Sequence, residues 1–378
     1  MAGIPFFQHD LGQPELESVR EVLAGPILTT GAVVERVERR LAEYLGCKHV
    51  LAVTSCTGAM HLSLLALGVG PGDEVITTPM TFIATATAII EAGATPVFVD
   101  VEEKTGNLDA GKVEAALTER TRAILPVHLY GQPCDMRALR TIADRHRLFL
   151  IEDAAHCLEG QRAGVRPGML SDTACLSFYA TKNLTCGEGG AIACNDTALA
   201  ERLRLLRLHG MTKTAYDRSR EGYLHWDMVT LGWKYNMDNI HAALLLPQID
   251  RLDGNWQKRE ELARRYLQAL AEVPGLTWPQ TLPGVKHAHH IFPVWLVNGR
   301  RDAVVAGLQE DGVPTVVNYR AIHLLTYFRE RFGFKPGAFP VAERIGDATL
   351  SLPFYPNIPA EHVEAVVDCL KRLLTKAG

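Results

Sequence analysis

The sequence lacks the features that mark several common classes of protein. Its 39 Lys and Arg stand against 43 Asp and Glu, so no excess of positive charge points to nucleic acid. The N-terminus has no basic segment followed by an apolar run, which argues against a signal peptide, and no apolar stretch reaches the length of a membrane span. We therefore expect a cytoplasmic protein with neither nucleic acid nor membrane as a partner.

The sequence also lacks a recognisable pattern of metal or disulfide cysteines. Its 8 cysteines are scattered without a Cys-x-x-Cys pair, so they indicate reduced thiols rather than a disulfide framework or a zinc site. His287, His289 and His290 form a cluster of possible ligands, but no fourth partner is evident, and we expect no metal. The dinucleotide glycine fingerprint and the Walker lysine are missing as well.

What the sequence does have is an alternation of short β-rich runs and helical periodicity over its first two thirds. This alternation predicts an α/β fold with a mostly parallel sheet and helices on both faces. After about residue 240 the pattern changes to one or two long helices, with Pro247 as the expected break or kink. We predict a large domain over residues 1–250 and a smaller α+β domain over residues 251–378.

A lysine that follows an apolar strand is the strongest chemical signal. Lys182 lies in SFYATKNLTCGEGGAIACN, residues 177–195, where a glycine cluster lets a ligand approach the backbone. Burial of such a lysine lowers its pKa and makes the neutral amine available as a nucleophile. The alternative is a surface lysine in a β-turn.

A second signal is the strand LFLIED, which ends in Glu152 and Asp153. A carboxylate in this place can be a metal ligand, a catalytic acid or base, or a helix cap. Taken with Lys182, it fits pyridoxal 5′-phosphate (PLP), which needs a lysine for its Schiff base and a carboxylate to keep its pyridine nitrogen protonated.

A third signal lies between an early strand and helix, in TSCTGAMHLSLLAL, residues 54–67. A helix N-terminus offers free N–H donors and a positive dipole end, which suits a phosphate. The hydroxyls of Ser55, Thr57 and Ser177 can add donors. Taken alone, this pattern is also that of an ordinary capped helix.

These motifs, in the order phosphate loop, acid and lysine, resemble those of the fold-type I PLP enzymes. More narrowly, the chain resembles the DegT/DnrJ/StrS family of sugar-nucleotide aminotransferases over nearly its full length. The similar stretches include ILTTG, PVHLYGQPCDM, IEDAAH, SFYATKNLTCGEGG, LGWKYNMDNIHAALLLPQIDRLD and YRAIH. The resemblance implies a large domain with a mostly parallel sheet of the seven-stranded type, flanked by helices, and a smaller C-terminal α+β domain.

The resemblance also implies roles for individual residues. Lys182 would hold PLP as a Schiff base and move the substrate proton, and Asp153 would pair with the pyridine nitrogen. The other implied cofactor contacts are the phosphate ligands Ser55, Thr57, Gly58 and Ser177, the ring-stacking Phe82, His156 near the ring hydroxyl, and Asn236, which would reach the phosphate of the neighbouring subunit. Phe82 can also be an ordinary core aromatic, and Asn236 a helix cap.

A shared site of this kind implies a homodimer. Tyr319 and His323 match a segment that faces the sugar in some members of the family, although a structural role is an equal alternative.

The implied reaction is a transamination in two stages. Glutamate converts PLP to pyridoxamine phosphate (PMP) and leaves as 2-oxoglutarate, and a nucleotide-linked keto-sugar, with a 4-keto sugar preferred, then accepts the amine. The rivals are a PLP-dependent sugar dehydratase, a non-catalytic PLP-binding regulator and an amino-acid aminotransferase. The dehydratases of this fold carry histidine at the lysine position, so Lys182 argues against the first rival.

Overall fold

A computed structural model describes residues 3–217, 225–297 and 299–375. Its strands are short, as expected for a sheet whose strands are joined by helices. In chain order the strands are β1 (His49–Val53), β2 (Glu74–Thr77), β3 (Thr95–Phe98), β4 (Thr121–Ile124), β5 (Phe149–Asp153), β6 (Gln161–Arg162), β7 (Thr173–Ser177), β8 (Gly190–Cys194), β9 (Leu276–Thr277), β10 (Val285–Lys286), β11 (Phe292–Leu296) and β12 (Thr349–Leu352).

Helices separate most of these strands. In chain order the α-helices among the described residues are α1 (Gln13–Ala24), α2 (Ala32–Leu45), α3 (Cys56–Ala66), α4 (Ala84–Glu91), α5 (Ala110–Val113), α6 (Met136–His146), α7 (Thr197–Leu206), α8 (Asn239–Ile249), α9 (Leu252–Leu270), α10 (Arg301–Glu310), α11 (Thr326–Phe332), α12 (Pro340–Ala348) and α13 (Ala360–Thr375). In the parts of the chain that the structure describes, no helix is both long and apolar enough to cross a membrane.

The main sheet has 7 strands in the order β1-β8-β7-β5-β4-β2-β3. Strand β8 runs antiparallel to β1 and β7, and the other neighbours pair in parallel. The predicted α/β fold with a mostly parallel seven-stranded sheet is therefore confirmed. Because parallel strands end at the same edge, β5 and β7 bring their last residues, Asp153 and Ser177, to one side of the molecule.

Alternate side chains of each strand enter two different cores, because successive residues of a strand point to opposite faces. In β1, Leu51 and Val53 join the core that contains α3, α4 and α7, whereas Val50 and Ala52 join the core that contains α2 and α8. Helix α3 is buried on nearly all of its sides. The two covered faces explain why the strands are apolar throughout.

The C-terminal part of the chain has its own sheet, with strand order β12-β11-β9. Both pairings are antiparallel, and α9, α10 and α13 pack on this sheet around a separate apolar core. The predicted smaller α+β portion is therefore present. The predicted boundary near residue 250 stays a prediction, although α8 and α9 do separate there.

A helix break at Pro247 is wrong in its position, and the alternative, a kink there, stays a prediction. Helix α8 runs through Pro247 to Ile249, and the chain leaves the helix only at Asp250 and Arg251. Proline removes one N–H and therefore the backbone hydrogen bond to the carbonyl four residues before it, and two nearby side chains make further bonds to other carbonyls of the helix. Gln248 donates to the carbonyl of Leu244 at 2.5 Å, and Arg251 donates to the carbonyl of Pro247 at 3.3 Å.

Candidate active site

A cavity of about 580 Å³ lies where the carboxyl ends of β5 and β7 meet the start of α3. Most of the side chains selected from the sequence line it. They are Ser55, Thr57, Phe82, Asp153, His156, Ser177, Lys182 and Tyr319. Residues far apart in the chain thus face one space of a size that suits a small molecule.

Three donors fix the carboxylate at the end of β5. Asp153 accepts a hydrogen bond from the Thr85 hydroxyl at 2.8 Å and one from the backbone N–H of Ala155 at 3.1 Å. The thiol of Cys56 adds a long contact of 3.9 Å. Thr81 lies 2.8 Å from Thr85, and because Thr85 donates to Asp153, the Thr81 hydroxyl donates to Thr85. A nearly buried carboxylate held in this way keeps one orientation.

The candidate nucleophile lies in a tight turn just after β7. The backbone N–H of Lys182 donates to the carbonyl of Tyr179 at 2.9 Å, and its side chain points into the cavity wall. Burial lowers the pKa of the Lys182 ammonium to about 8, and the nearby Cys56 and Asp153 only partly oppose this effect. An appreciable fraction of neutral amine is therefore present near neutral pH.

The imidazole of His156 links the cavity floor to Tyr319. Its Nδ1 accepts the backbone N–H of Tyr130 at 3.3 Å, and its Nε2 lies 3.1 Å from the Tyr319 hydroxyl. Burial, with the nearby positive charge of Lys182, holds the pKa of His156 well below its usual value. A neutral ring that accepts at Nδ1 carries its proton on Nε2 and donates it to Tyr319. The hydroxyl hydrogen of Tyr319 is then available to a ligand oxygen.

The start of α3 supplies the anion-binding end of the cavity. Ser55 is the N-cap, and its hydroxyl accepts from the backbone N–H of Gly58 at 3.0 Å. Strand β8 packs directly against this turn, because a Cβ at Gly190 would lie 2.5 Å from the carbonyl carbon of Ser55 and 2.6 Å from the nitrogen of Cys56. The helix N-terminus and the hydroxyls of Thr57 and Ser177 together suit a phosphate.

Phe82 forms part of the cavity rim. Its side chain is 55% exposed, and its ring lies 5.9 Å from that of Tyr319 at a tilt of 46°. The position therefore differs from that of an ordinary core aromatic. An exposed ring beside a cavity offers a flat apolar face to a planar ligand.

Three of the selected residues do not line the cavity. Gly58 packs against Ser55 and the Tyr235 ring. Asn236 is buried elsewhere in its own chain, where it donates to the Thr30 hydroxyl at 2.6 Å and accepts from the Lys234 ammonium at 2.5 Å. His323 is fully buried, contacts Glu343 at 3.0 Å and packs among aromatic rings, which fits its structural alternative.

The histidine cluster divides between two environments. His289 pairs with Glu260 at 2.7 Å, whereas the Nε2 atom of His290 lies 3.4 Å from the Lys182 amine. Across the described residues, no group of at least 3 His, Cys, Asp and Glu side chains is arranged to hold a metal.

Sequence reasoning missed several residues of the site, among them Cys56, Thr85 and His290. Thr81 and Thr85 stand four apart in TFIATATAI, a spacing that puts both hydroxyls on one helical face, so a signal existed. The sequence suggests His290 only as a possible metal ligand. Its position beside Lys182 depends on how the two parts of the chain pack, which no local pattern reveals.

The residues of this cavity fit PLP. The buried lysine offers an amine for the aldehyde, and the fixed carboxylate offers an acceptor for a protonated ring nitrogen. The capped helix start offers donors for the phosphate. The carboxylate of Asp153 is close enough to the Lys182 amine to raise its pKa, which partly opposes the effect of burial.

Comparisons with known proteins agree with a cavity whose residues fit PLP. The sequence model of the DegT/DnrJ/EryC1/StrS aminotransferase family matches residues 9–371. The spore coat polysaccharide biosynthesis protein SpsC of Bacillus subtilis (strain 168) is 40% identical over 380 residues, which cover 99% of this chain and 98% of SpsC.

Solved structures give the same result. DesV of S. venezuelae, in complex with a ketimine intermediate, aligns with a TM-score of 0.93 and 36% identity over 100% of both chains. Spr1654 of Streptococcus pneumoniae in its PMP form aligns with a TM-score of 0.93 and 30% identity over 99% of both chains. Its PLP form aligns with a TM-score of 0.92 and 29% identity, again over 99% of both chains.

Proposed function

Because the chain belongs to the DegT/DnrJ/EryC1/StrS aminotransferase family and is a PLP-dependent sugar aminotransferase, we propose that it transfers the amino group of glutamate to a nucleotide-linked keto-sugar, at C4. The observation that carries the proposal is the single cavity faced by the Lys182 amine, the Asp153 carboxylate and the start of α3.

Bound PLP supplies the electron sink of the reaction, and the protein supplies orientation and proton transfer. Lys182 is the base that removes a proton from the donor carbon, since burial already favours its neutral form. Asp153 would keep a proton on the pyridine nitrogen, and the Thr85 hydroxyl and the backbone N–H of Ala155 hold its carboxylate in place. Thr57, Ser177 and the first turn of α3 would bind the phosphate.

The keto-sugar would occupy the outer part of the cavity. Phe82 and Tyr179 are 55% and 46% exposed there and offer faces on which a sugar or a base can rest. The Tyr319 hydroxyl, which accepts from His156, can donate to a cofactor or sugar oxygen. Two relatives support a sugar substrate: SpsC is named for polysaccharide biosynthesis, and Spr1654 is named as a sugar aminotransferase.

The enzyme would work as a homodimer with shared sites. Asn236 does not line its own cavity and bonds to Thr30 and Lys234 instead, and the nearby segment 226–231 exposes several large apolar side chains. These are Trp226, Met228, Val229 and Leu231, with exposures of 40% to 68%. Such a group is unusual on the surface of a monomer. If Asn236 serves the neighbouring site, mixing the inactive variants Lys182→Ala and Asn236→Ala will restore part of the activity.

We also propose that the enzyme works in the cytoplasm. Its buried thiols, those of Cys47, Cys56, Cys134, Cys157, Cys175, Cys186 and Cys194, are all free. Free thiols suit a reducing compartment.

The function is tested in two half-reactions. Glutamate added to the PLP-loaded enzyme should replace the PLP absorption band with that of PMP and release one equivalent of 2-oxoglutarate. After the released 2-oxoglutarate is removed, because it would reverse the first half-reaction, nucleotide-linked 4-keto-sugars, nucleotide-linked 3-keto-sugars, free keto-sugars and other keto acids are compared for their ability to restore the PLP band.

Recovery with a nucleotide-linked 4-keto-sugar alone would support the full proposal. Recovery only with keto acids would contradict a sugar substrate, and full turnover by Lys182→Ala would contradict the role of the lysine.

A further inference from the structure

A chain of buried polar groups leads from the C-terminal half of the protein to the Lys182 amine. Arg259 on α9 and Glu159, in the loop after β5, form an ion pair in which both side chains are almost fully buried. The other carboxylate oxygen of Glu159 accepts from the side-chain amide of Asn183 at 3.0 Å. Asn183 in turn lies 3.4 Å from His290, and His290 lies 3.4 Å from Lys182.

The direction of the hydrogen bonds in this series of buried polar groups decides which ring nitrogen of His290 carries the proton. The Asn183 amide nitrogen donates to Glu159 and to the carbonyl of Ala288, so its oxygen is the atom that faces Nδ1 of His290. An amide oxygen can only accept, and Nδ1 must therefore carry the hydrogen. In a neutral imidazole Nε2 is then a bare acceptor, and it is the atom that faces Lys182.

The neutral state of His290 follows from its surroundings. Burial, with the positive charges of Lys182 and Arg259 and the neighbouring ring of His156, holds the pKa of His290 well below its usual value. The backbone fixes the ring further, because the N–H of His290 donates to the carbonyl of Tyr130 at 3.2 Å. The ring of His156 packs on it at a centroid distance of 4.4 Å.

We propose that His290 is a positioning residue for Lys182, an acceptor whose tautomer is fixed by Asn183, Glu159 and Arg259 and which holds the free amine in the cavity wall. The inference rests on the proposed role of Lys182 as the base. When the amine takes a proton from the donor carbon, the resulting ammonium donates an N–H to Nε2 of His290. The proton stays on Lys182 and is delivered from there.

The first test measures the amine itself in the PMP-loaded enzyme, in which Lys182 is not bonded to the cofactor. Labelling of Lys182 by acetic anhydride is followed by mass spectrometry as a function of pH. His290→Phe removes the acceptor, so the ammonium loses a partner and the labelling midpoint should move about one pH unit lower, in line with a hydrogen bond to a charged group. The other charged or titratable groups near the amine, Asp153, Cys56 and His156, stay unchanged.

The second test measures proton transfer. We expect His290→Phe to slow the glutamate half-reaction about 10-fold to 100-fold, a range that follows from the loss of such a hydrogen bond. The KM for glutamate and the affinity for PLP should stay near those of the wild type. The isotope effect with α-deuterated glutamate should rise, because the proton-transfer step becomes more rate-limiting.

Two further variants separate positioning from folding. His290→Gln keeps an acceptor oxygen and should recover much of the rate. His289→Asn changes the adjacent histidine, which pairs with Glu260 and has a left-handed backbone that asparagine tolerates, and should leave both measurements unchanged.

An unshifted labelling midpoint in His290→Phe would overturn the inference, as would a wild-type rate in that variant. If instead the wild-type enzyme fails to react with glutamate while the labelling midpoint still shifts, the donor assignment fails and the role of His290 stands.

Discussion

At the scale of single residues, the chemistry of this protein depends on side chains whose protonation and orientation are set by buried neighbours. Lys182 is kept partly neutral by burial, and Asp153 is held by the Thr85 hydroxyl and a backbone N–H. Neither group would have these properties at an exposed position, where water competes for the same hydrogen bonds. The reactive residues therefore cannot be understood without the residues that hold them.

Thr85 offers the clearest test of this dependence. Thr85→Val keeps the shape of the side chain but removes the donor to Asp153, so the carboxylate loses its shortest hydrogen bond. We expect the glutamate half-reaction to slow about 10-fold or more, the effect of losing a hydrogen bond to a charged group. Stopped-flow absorbance measures this rate. Thr85→Ser keeps the hydroxyl and should retain most of it, and equal rates in the two variants would show that the hydroxyl is dispensable.

At the scale of elements, the phosphate end of the site depends on how closely a strand and a helix approach. The last residue of β7 and the first residue of β8 are paired, Ser177 with Gly190, and β8 passes directly behind the first turn of α3. Only glycine leaves room for this approach. The glycine cluster after Lys182 thus allows the close approach of β8 to α3, in addition to the turn that carries the lysine.

Gly190→Ala should therefore damage this element specifically. The added methyl group would meet backbone atoms of Ser55, Cys56 and Leu176 within 2.7 Å, and backbone cannot move as freely as a side-chain tip. We expect a loss of about 1–3 kcal/mol in the free energy of unfolding, together with weaker binding of PLP. Denaturant unfolding and PLP titration measure the two effects.

Gly254→Ala is the matched control for that variant, because Gly254 lies in α9 with open space around it. Alanine favours a helix over glycine by about 1 kcal/mol, so this change should preserve or raise stability. If both variants unfolded alike, the close approach at Gly190 would not matter.

At the scale of the whole molecule, the cavity is assembled from two parts of the chain. Asp153 and Lys182 come from the main sheet, whereas His290 and Tyr319 come from the C-terminal part. The buried ion pair of Arg259 and Glu159 ties the helix α9 to the loop after β5. Packing between the two parts thus fixes both the shape of the cavity and the contacts of the lysine.

Breaking this ion pair should be costly. Arg259→Met leaves the carboxylate of Glu159 buried without its charge partner, and such a loss costs about 3–5 kcal/mol in the free energy of unfolding. Thermal and denaturant unfolding measure it. Arg264→Met removes an arginine from an exposed pair with Glu261 on the same helix and should leave the unfolding midpoint nearly unchanged. Similar losses in both variants would contradict the importance of burial.

The sequence by itself determined the fold class, the family and the use of PLP, all of which are confirmed. Alternating strands and helices predict the fold class, and Lys182 taken with Asp153 fits PLP. The family is identified through the resemblance of whole motifs, such as the lysine turn with its glycines. Such patterns can be recognised because the spacing of apolar residues in a strand or helix reflects which of its faces is buried.

Only the tertiary structure decided which other side chains meet the reactive groups. No local sequence pattern predicts the contact between Lys182 and His290, because the two residues are 108 positions apart in the chain. The same is true of the buried ion pair behind that contact. Nor did the sequence settle that His323 packs against Glu343 outside the cavity, since both its alternatives fitted the same motif. These outcomes arise when whole elements pack, and packing depends on all the residues at once.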